Sequence, residues 1–357
     1  MRIDGFALHP YRLPLTEPVA FGGTALAHRE GVLLRLGTEG GLVGWGDAAP
    51  LPRFSRETLE EARDALEVFA AALVGRDVAP NEAVAWDGPL HAALDATGLP
   101  SSARFALDLA LADLAAQAHG RPLPQLLHPD PTVTLSIQGL LMGEADAVLD
   151  RAERLVRDGY RTLKLKVGRR DLDADVELVN GVRGRVGAGI ALRLDANRAW
   201  TDDEARRFAE GIAGAGIDYV EEPLRAPAGL PALWLDTGLP IALDETLAVP
   251  EGAALLRGWA EAAVLKPTVL GGLAATLRWA RQARQVGVRP VLSAAFESGV
   301  GLRGVAALAA ATGAEAVGLD PYRRLAGDVL GERLPFDRPT VDLPRLFAHP
   351  PRVAPER

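Results

Sequence analysis

From Pro131 onward the chain alternates short apolar runs with amphipathic segments of helical period. Strand cores are expected at VTLSIQG, TLKLKVG, ALRLDAN, DYVEEPL, IALDETL, AVLKPT, RPVLSAAF and AVGLDPY, beginning at residues 133, 162, 191, 218, 241, 263, 289 and 316. The steps between them are 29, 29, 27, 23, 22, 26 and 27 residues, which leaves room for one helix in each connection. Eight such units fit a closed parallel barrel better than an open doubly wound sheet, which would need an early Gly-rich phosphate turn. The sequence has no such turn.

Ahead of the barrel the pattern is different. The stretches GFALHPYRLPL, GVLLRLG and GLVGWGDAAPL read as a β-meander separated by Gly-rich turns. TEPVAFGGTALAH, between the first two, reads as a loop hinged at Gly22-Gly23 and suited to a lid over about Thr16 to Thr24. From Arg56 to about Ala118 the period is helical, with Ser55 as the expected N-cap and Gly75 as the stop of the first helix. The expected organisation is an α+β domain over 1–125, a barrel over 126–325 and a C-terminal segment over 326–357. That last segment, PFDRPTVDLPRLFAHPP, shows no clear helix of its own and is expected to pack back on the first domain.

Composition narrows the partners. The 357 residues exceed the usual single core and are 48% hydrophobic and 24% charged, as in ordinary soluble globular proteins. A net charge of −8, without a basic block, argues against nucleic acid. The absence of cysteine excludes disulfides and thiolate sites, so any metal must be held by oxygen or nitrogen. MRIDGFALHPYRLPL lacks the features of a signal peptide and no apolar run is long enough to span a membrane, so a cytoplasmic chain without membrane contact is expected.

The barrel strands carry the chemistry. In TLKLKVG, alternation puts Lys164 and Lys166 on one face and Leu163, Leu165 and Val167 on the other. Buried lysine without a partner is costly, so that face is either wet or functional. In a barrel of this kind the site lies at the C-terminal ends of the strands. Reading those ends in order gives Lys166, Asp195, Glu221, Asp244 and Lys266 on strands 2 to 6. Strands 2 and 6 of eight lie half a turn apart, so the two lysines oppose each other with three carboxylates on the arc between them. Each residue alone has a bland reading, as a solvated strand end or a helix-start acid. Five in phase do not.

Three carboxylates without His or Cys make a hard oxygen site suited to Mg²⁺, with Mn²⁺ as a substitute. Such a metal would make the proton next to a captured substrate carboxylate more acidic and stabilise the enediolate formed on its removal. A lysine acts as the base only if its pKa falls from about 10.4 towards roughly 7 to 8; Lys164, one layer below Lys166, supplies positive field for that shift. Alternation does not decide between Glu221 and Glu222, or between Asp244 and Glu245. Arg193 shares the face of Asp195 and is open to a structural or a substrate role. All six histidines precede the second barrel strand or follow the last, so no histidine base is available on the barrel. The six Trp read as packing residues.

KLK at 164–166, LDAN at 194–197, EEP at 221–223, LDE at 243–245 and LKP at 265–267 resemble, in order and spacing, the enolase superfamily in its muconate-lactonizing-enzyme subgroup. GWGDAAPLPRFSRETLEEA, LRLDANRAW, FESGVGL and GLD at 318–320 resemble, within it, the o-succinylbenzoate synthases. The resemblance implies a modified TIM barrel of (β/α)7β type, an N-terminal α+β cap completed by the C-terminal tail, and Mg²⁺ on Asp195, Glu221 and Asp244. It implies syn dehydration of 2-succinyl-6-hydroxy-2,4-cyclohexadiene-1-carboxylate in menaquinone synthesis. Lys166 would be the acid and base, and Lys266 the cation on the opposite face. Lys164, Arg193, Asn197, Ser293, Glu297, Ser298 and Gly299 would contact the substrate or support the site.

The chain departs from the family pattern at Arg53, Ala294-Ala295 and Asp47, which touches the substrate pocket and leaves the chemistry intact. The rival within the subgroup is a dipeptide epimerase or N-acylamino acid racemase using the same five residues. A dipeptide epimerase typically has an Asp-x-Asp pair at strand 8, where Gly318 occupies the first position here. A non-catalytic binding barrel would not need opposed lysines, and a Schiff-base aldolase has no use for the carboxylates. The expected partner is a small-molecule carboxylate; a homo-oligomer is compatible with the sequence.

Overall fold

The computed structural model describes residues 1–21, 24–52 and 54–354. Gly22, Gly23 and Arg53 lie outside the described residues.

An antiparallel three-stranded sheet opens the chain: β1 (Ile3–Phe21), β2 (Thr24–Thr38) and β3 (Val43–Ala48). The stretch expected as a loop after Thr16 is strand on both sides of Gly22-Gly23. After a register shift between Pro14 and Val19 the ladder resumes, with Val19 opposite Leu26 and Phe21 opposite Thr24. Pairing continues past the irregularity to the described residues on either side, Phe21 and Thr24.

The first long helix, Leu59–Leu73, is capped by Thr58 in a capping box with Glu61. The expected cap, Ser55, instead accepts the Leu51 N–H at 3.0 Å. The helix Ser101–His119 is buried almost all round, as expected of a segment packed on both sides. β3 lies directly against it: a Cβ on Gly46 would collide with the Ala106 carbonyl, which accounts for the GWG in this strand. Ile3, Leu34, Leu36, Ala62, Leu66, Ala106 and Leu111 belong to the core beneath the sheet.

The barrel is a parallel sheet of seven strands: β5 (Gly139–Leu141), β6 (Thr162–Lys166), β7 (Ala191–Asp195), β8 (Tyr219–Glu221), β9 (Ile241–Leu243), β10 (Ala262–Leu265) and β11 (Arg289–Leu292). Its eighth strand is reduced to Val317 and Gly318, which bridge Ile137 and Ser293 in parallel. Gly318 N–H donates to Leu292 O at 2.9 Å and Gln138 N–H to Val317 O at 3.1 Å, closing the ring. This is the modified TIM barrel with an N-terminal cap.

The first expected strand core is divided. β4 (Thr134–Ser136) leaves the barrel and pairs antiparallel with β12 (Thr340–Asp342); the barrel strand proper begins at Gly139. The C-terminal segment also holds a short helix, Leu343–Leu346, capped by Asp342, where none was expected. Its preceding stretch meets the N-terminal ribbon through Ala326 N–H to Pro14 O at 2.8 Å. Among the described residues no helix is long and apolar enough to cross a membrane.

Candidate active site

The pleat of β6 buries Leu163 and Leu165 and turns Lys164 and Lys166 into the barrel. Register aligns the next strands with it: Lys166 lies opposite Asp195, and Asp195 opposite Glu221. Lys164 Nζ is 2.7 Å from Asp195 Oδ2 and 2.6 Å from Glu221 Oε2. Lys166 Nζ donates to the same Asp195 oxygen at 2.5 Å and to Asn197 Oδ1 at 2.7 Å. Lys266, just after β10, is paired with Asp244 and lies 4.9 Å from the centre of the Phe54 ring. Phe54 belongs to the N-terminal domain, so the cap reaches one of the two opposed lysines.

The lysines differ in charge environment. Burial lowers Lys166 and the neighbouring Lys164 ammonium lowers it further, against the attraction of Asp195, so its pKa falls below the usual lysine value. Burial would also lower Lys164 and Lys266, but the carboxylates around them outweigh it and both are raised. Burial pushes Asp195 up, yet the three lysines hold it well below the carboxylate range. Asp244 is raised by burial and by the charges of Glu245 and Glu221, against Lys266.

The two ambiguous pairs separate in space. Glu221 points at Lys164. Glu222 has a left-handed backbone (φ 45°) and turns under the strand ends, accepting from Asp244 N–H, Thr246 N–H, Thr246 Oγ1 and Arg198 Nε at 2.8, 2.7, 2.8 and 3.0 Å. Its acceptor capacity is used in holding the β9 turn. Asp244 meets Lys266, while Glu245 accepts from Asn197 Nδ2 at 3.0 Å.

The carboxylates present suit a hard divalent cation. They offer only oxygen donors, Glu221 Oε1 is buried without a hydrogen-bond partner, and the charge of Glu221 helps to raise Asp244, a like-charge repulsion that a cation would relieve. Among the described residues no three such groups stand in ligating geometry; ammonium groups lie between them instead.

Arg193 lies one layer deeper. Nε donates to Asp218 at 2.8 Å, and NH1 to Gln138 Oε1 and Ala316 O, each at 2.8 Å. It is 1% exposed and crosses from β7 to the seam beside the two-residue strand. This arrangement gives it a structural use and leaves none of these donors for a ligand.

The loop after β11 is also tied inward. Ser293 bridges Gly318, and Glu297 accepts from Thr268 Oγ1 at 2.7 Å and Ala295 N–H at 2.6 Å. The Ser298 N–H and hydroxyl both donate to Asp47, and Gly299 N–H donates to Asp328 at 2.9 Å. Phe54 and Arg198 were not singled out from sequence, where only the run GWGDAAPLPRF carried a signal for the first; Glu245 was weighed only as the alternative to Asp244, and Asp47 only as a departure from the family pattern.

Fold and site together define an enolase-type barrel enzyme. The family described as "Enolase C-terminal domain-like" matches residues 147–347, and "MenC, N-terminal domain" matches 3–114. The chain is 34% identical over 309 residues to an o-succinylbenzoate synthase of Vibrio cholerae serotype O1 (strain M66-2), covering 85% of this chain and 84% of the relative. It is 33% identical to the Arabidopsis thaliana protein PHYLLO, chloroplastic, over 84% of itself, and spans 19% of that protein's length. The crystal structure of a dipeptide epimerase from Enterococcus faecalis V583, complexed with Mg and the dipeptide L-Leu-L-Tyr, superposes with a TM-score of 0.87. Identity is 27%, over 96% of this chain and 97% of that one. The chain belongs to the o-succinylbenzoate synthase family of the enolase superfamily.

Proposed function

We propose that this protein catalyses the divalent-metal-dependent syn dehydration of 2-succinyl-6-hydroxy-2,4-cyclohexadiene-1-carboxylate to o-succinylbenzoate, a step of menaquinone biosynthesis in the cytoplasm. Asp195, Glu221 and Asp244 would hold Mg²⁺, with Mn²⁺ as a substitute. When bound, the ion supplies positive charge that makes the proton beside a substrate carboxylate more acidic.

The remaining work falls to the chain. Lys166, the lysine that burial and Lys164 shift towards the neutral form, takes the C1 proton at Nζ. The resulting ammonium, on the same face of the ring, gives a proton to the C6 hydroxyl as it leaves. Water departs and the ring becomes aromatic. Asn197 Oδ1 orients the Lys166 Nζ, and Lys266 stays protonated on the opposite side, where its charge favours the electron-rich planar ring.

The rival reading is epimerisation of dipeptides. The observation that favours dehydration is the eighth strand. Gly318 offers no carboxylate for a substrate ammonium, and a Cβ there would stand 3.0 Å from Ser293 Cβ and 3.1 Å from Gln138 Nε2. Asp320, two residues on, is engaged by Arg151 at 3.3 Å and Arg323 at 2.9 Å.

The test is to incubate Mg²⁺-loaded protein with the cyclohexadiene and follow o-succinylbenzoate by absorbance. Turnover is expected for the unmodified chain and its loss for Lys166→Ala and Lys266→Ala. No turnover, together with exchange of the Cα proton of dipeptides, would reject dehydration.

A further inference from the structure

We infer that Arg324 is the receptor for the second carboxylate of the substrate, with Glu17 of the N-terminal ribbon occupying its place when no substrate is bound. This rests on the dehydration reading, because that substrate carries two carboxylates. The ring carboxylate belongs with the metal ligands. The one at the end of the succinyl chain needs another cation, and Lys164, Lys166 and Lys266 are already paired with Asp195, Glu221 and Asp244.

Arg324 follows the two-residue eighth strand, at the end of the turn Asp320–Arg324. Its side chain is only 23% exposed, yet among the described residues it makes no hydrogen bond and one ion pair, with Glu17 at 4.0 Å. A largely buried guanidinium normally finds close acceptors. The charges around Arg324 make this one more unusual. Burial and the neighbouring Arg151 and Arg169 lower its pKa, opposed by Glu17 and Asp320. Asp320 is already shared between Arg151 and Arg323. Around Arg324 itself the nearby carboxylates are Asp320 and Glu17, of which Glu17 is 79% exposed, while Asp337 acts on Arg323.

The place is right for a substrate tail. Arg169 lies three residues beyond Lys166 in the loop leaving β6, and Arg151 is on the helix after β5, so the cluster lies at the rim over strands 8, 1 and 2. The ribbon is anchored there by a bridge between Leu15 and Leu325, which puts Glu17 two residues from a fixed point. An anion arriving at Arg324 would form the charge-assisted pair that Glu17 makes only at long range.

The experiment measures kcat and KM with the cyclohexadiene for the parent, Arg324→Gln, Arg324→Lys and Glu17→Gln. Calorimetry of Mg²⁺-loaded protein then compares o-succinylbenzoate with 2-butanoylbenzoate, in which a methyl replaces the chain carboxylate. Arg324→Gln is expected to raise KM and the Kd of o-succinylbenzoate about 10- to 100-fold and to leave 2-butanoylbenzoate binding unchanged. Lysine should restore part of the loss, and Glu17→Gln should lower KM a few-fold. Unchanged KM in Arg324→Gln, or an equal loss for both ligands, would overturn the assignment while dehydration stands. If the parent does not dehydrate the cyclohexadiene yet binds N-succinylamino acids through Arg324, the dehydration reading fails and the carboxylate receptor stands.

Discussion

Asp47 of β3 accepts two hydrogen bonds from Ser298, at 2.9 Å from its N–H and 2.7 Å from its hydroxyl, across 251 residues of chain. Tyr11 OH donates to the other oxygen of the same carboxylate at 2.9 Å. A single buried side chain thus joins the cap sheet to the loop after the seventh barrel strand.

That latch predicts a pH dependence of stability. Burial raises Asp47 from 3.8 to about 6, with Glu297 adding repulsion and the Ser298 and Tyr11 hydrogen bonds opposing it. Folded protein therefore holds this proton where the unfolded chain has released it, so the contribution of Asp47 falls as pH rises from about 4 to about 6. Asp47→Asn keeps an acceptor for Ser298 and removes the titration. Between pH 4 and 7 the variant should gain about 1–3 kcal/mol relative to the parent in urea unfolding; parallel curves would refute the point.

Gly318 makes a packing prediction. Gly318→Ala should destabilise by about 1–3 kcal/mol because the new methyl meets Ser293 and Gln138. Adding Ser293→Gly should recover most of that loss, and a double-mutant cycle in denaturant measures the coupling. Additive losses would place the strain elsewhere.

Asp244→Asn should leave the chain folded and remove its response to metal. Thermal melts with and without Mg²⁺ are the measurement: the parent should melt higher with the ion, and the variant should not. An unchanged metal response would remove Asp244 from the ligand set.

Arg193→Met is expected to cost about 1–3 kcal/mol, since Gln138 and the Ala316 carbonyl lose an internal donor while Asp218 keeps Arg289 at 2.7 Å. Hydrogen exchange should rise first at the Gln138 and Val317 amides, which hold the two-residue strand. Unaltered exchange there would make Arg193 a bystander of the closure.

Much of the site was legible because strand phase is local. Lys166, Asp195 and Glu221 are on facing registers since their strands are short and regular. Phase ends where the strand ends, and the left-handed turn at Glu222 could not be read from alternation. The division of VTLSIQG was hidden for another reason: Thr134–Ser136 pairs with Thr340–Asp342, about two hundred residues on, and such pairing leaves no local mark. Asp47 reaching Ser298 is equally non-local, whereas the carboxylates and lysines announced themselves by being charged in buried strands.

The N-terminal ribbon has a mechanical consequence. β3 pairs with β2 only from Val32 to Gly37, so from Leu13 and Arg29 outward β1 and β2 run, among the described residues, as two strands without a third. A two-stranded arm is held by its root and by whatever it touches, here Leu325 and Ala326 on the barrel rim. The course of its described part, up to Phe21 and Thr24, is therefore set by the strand twist at its root together with those two contacts. Substitutions deep in the cap sheet, remote from any reacting atom, can therefore retune what the barrel mouth admits.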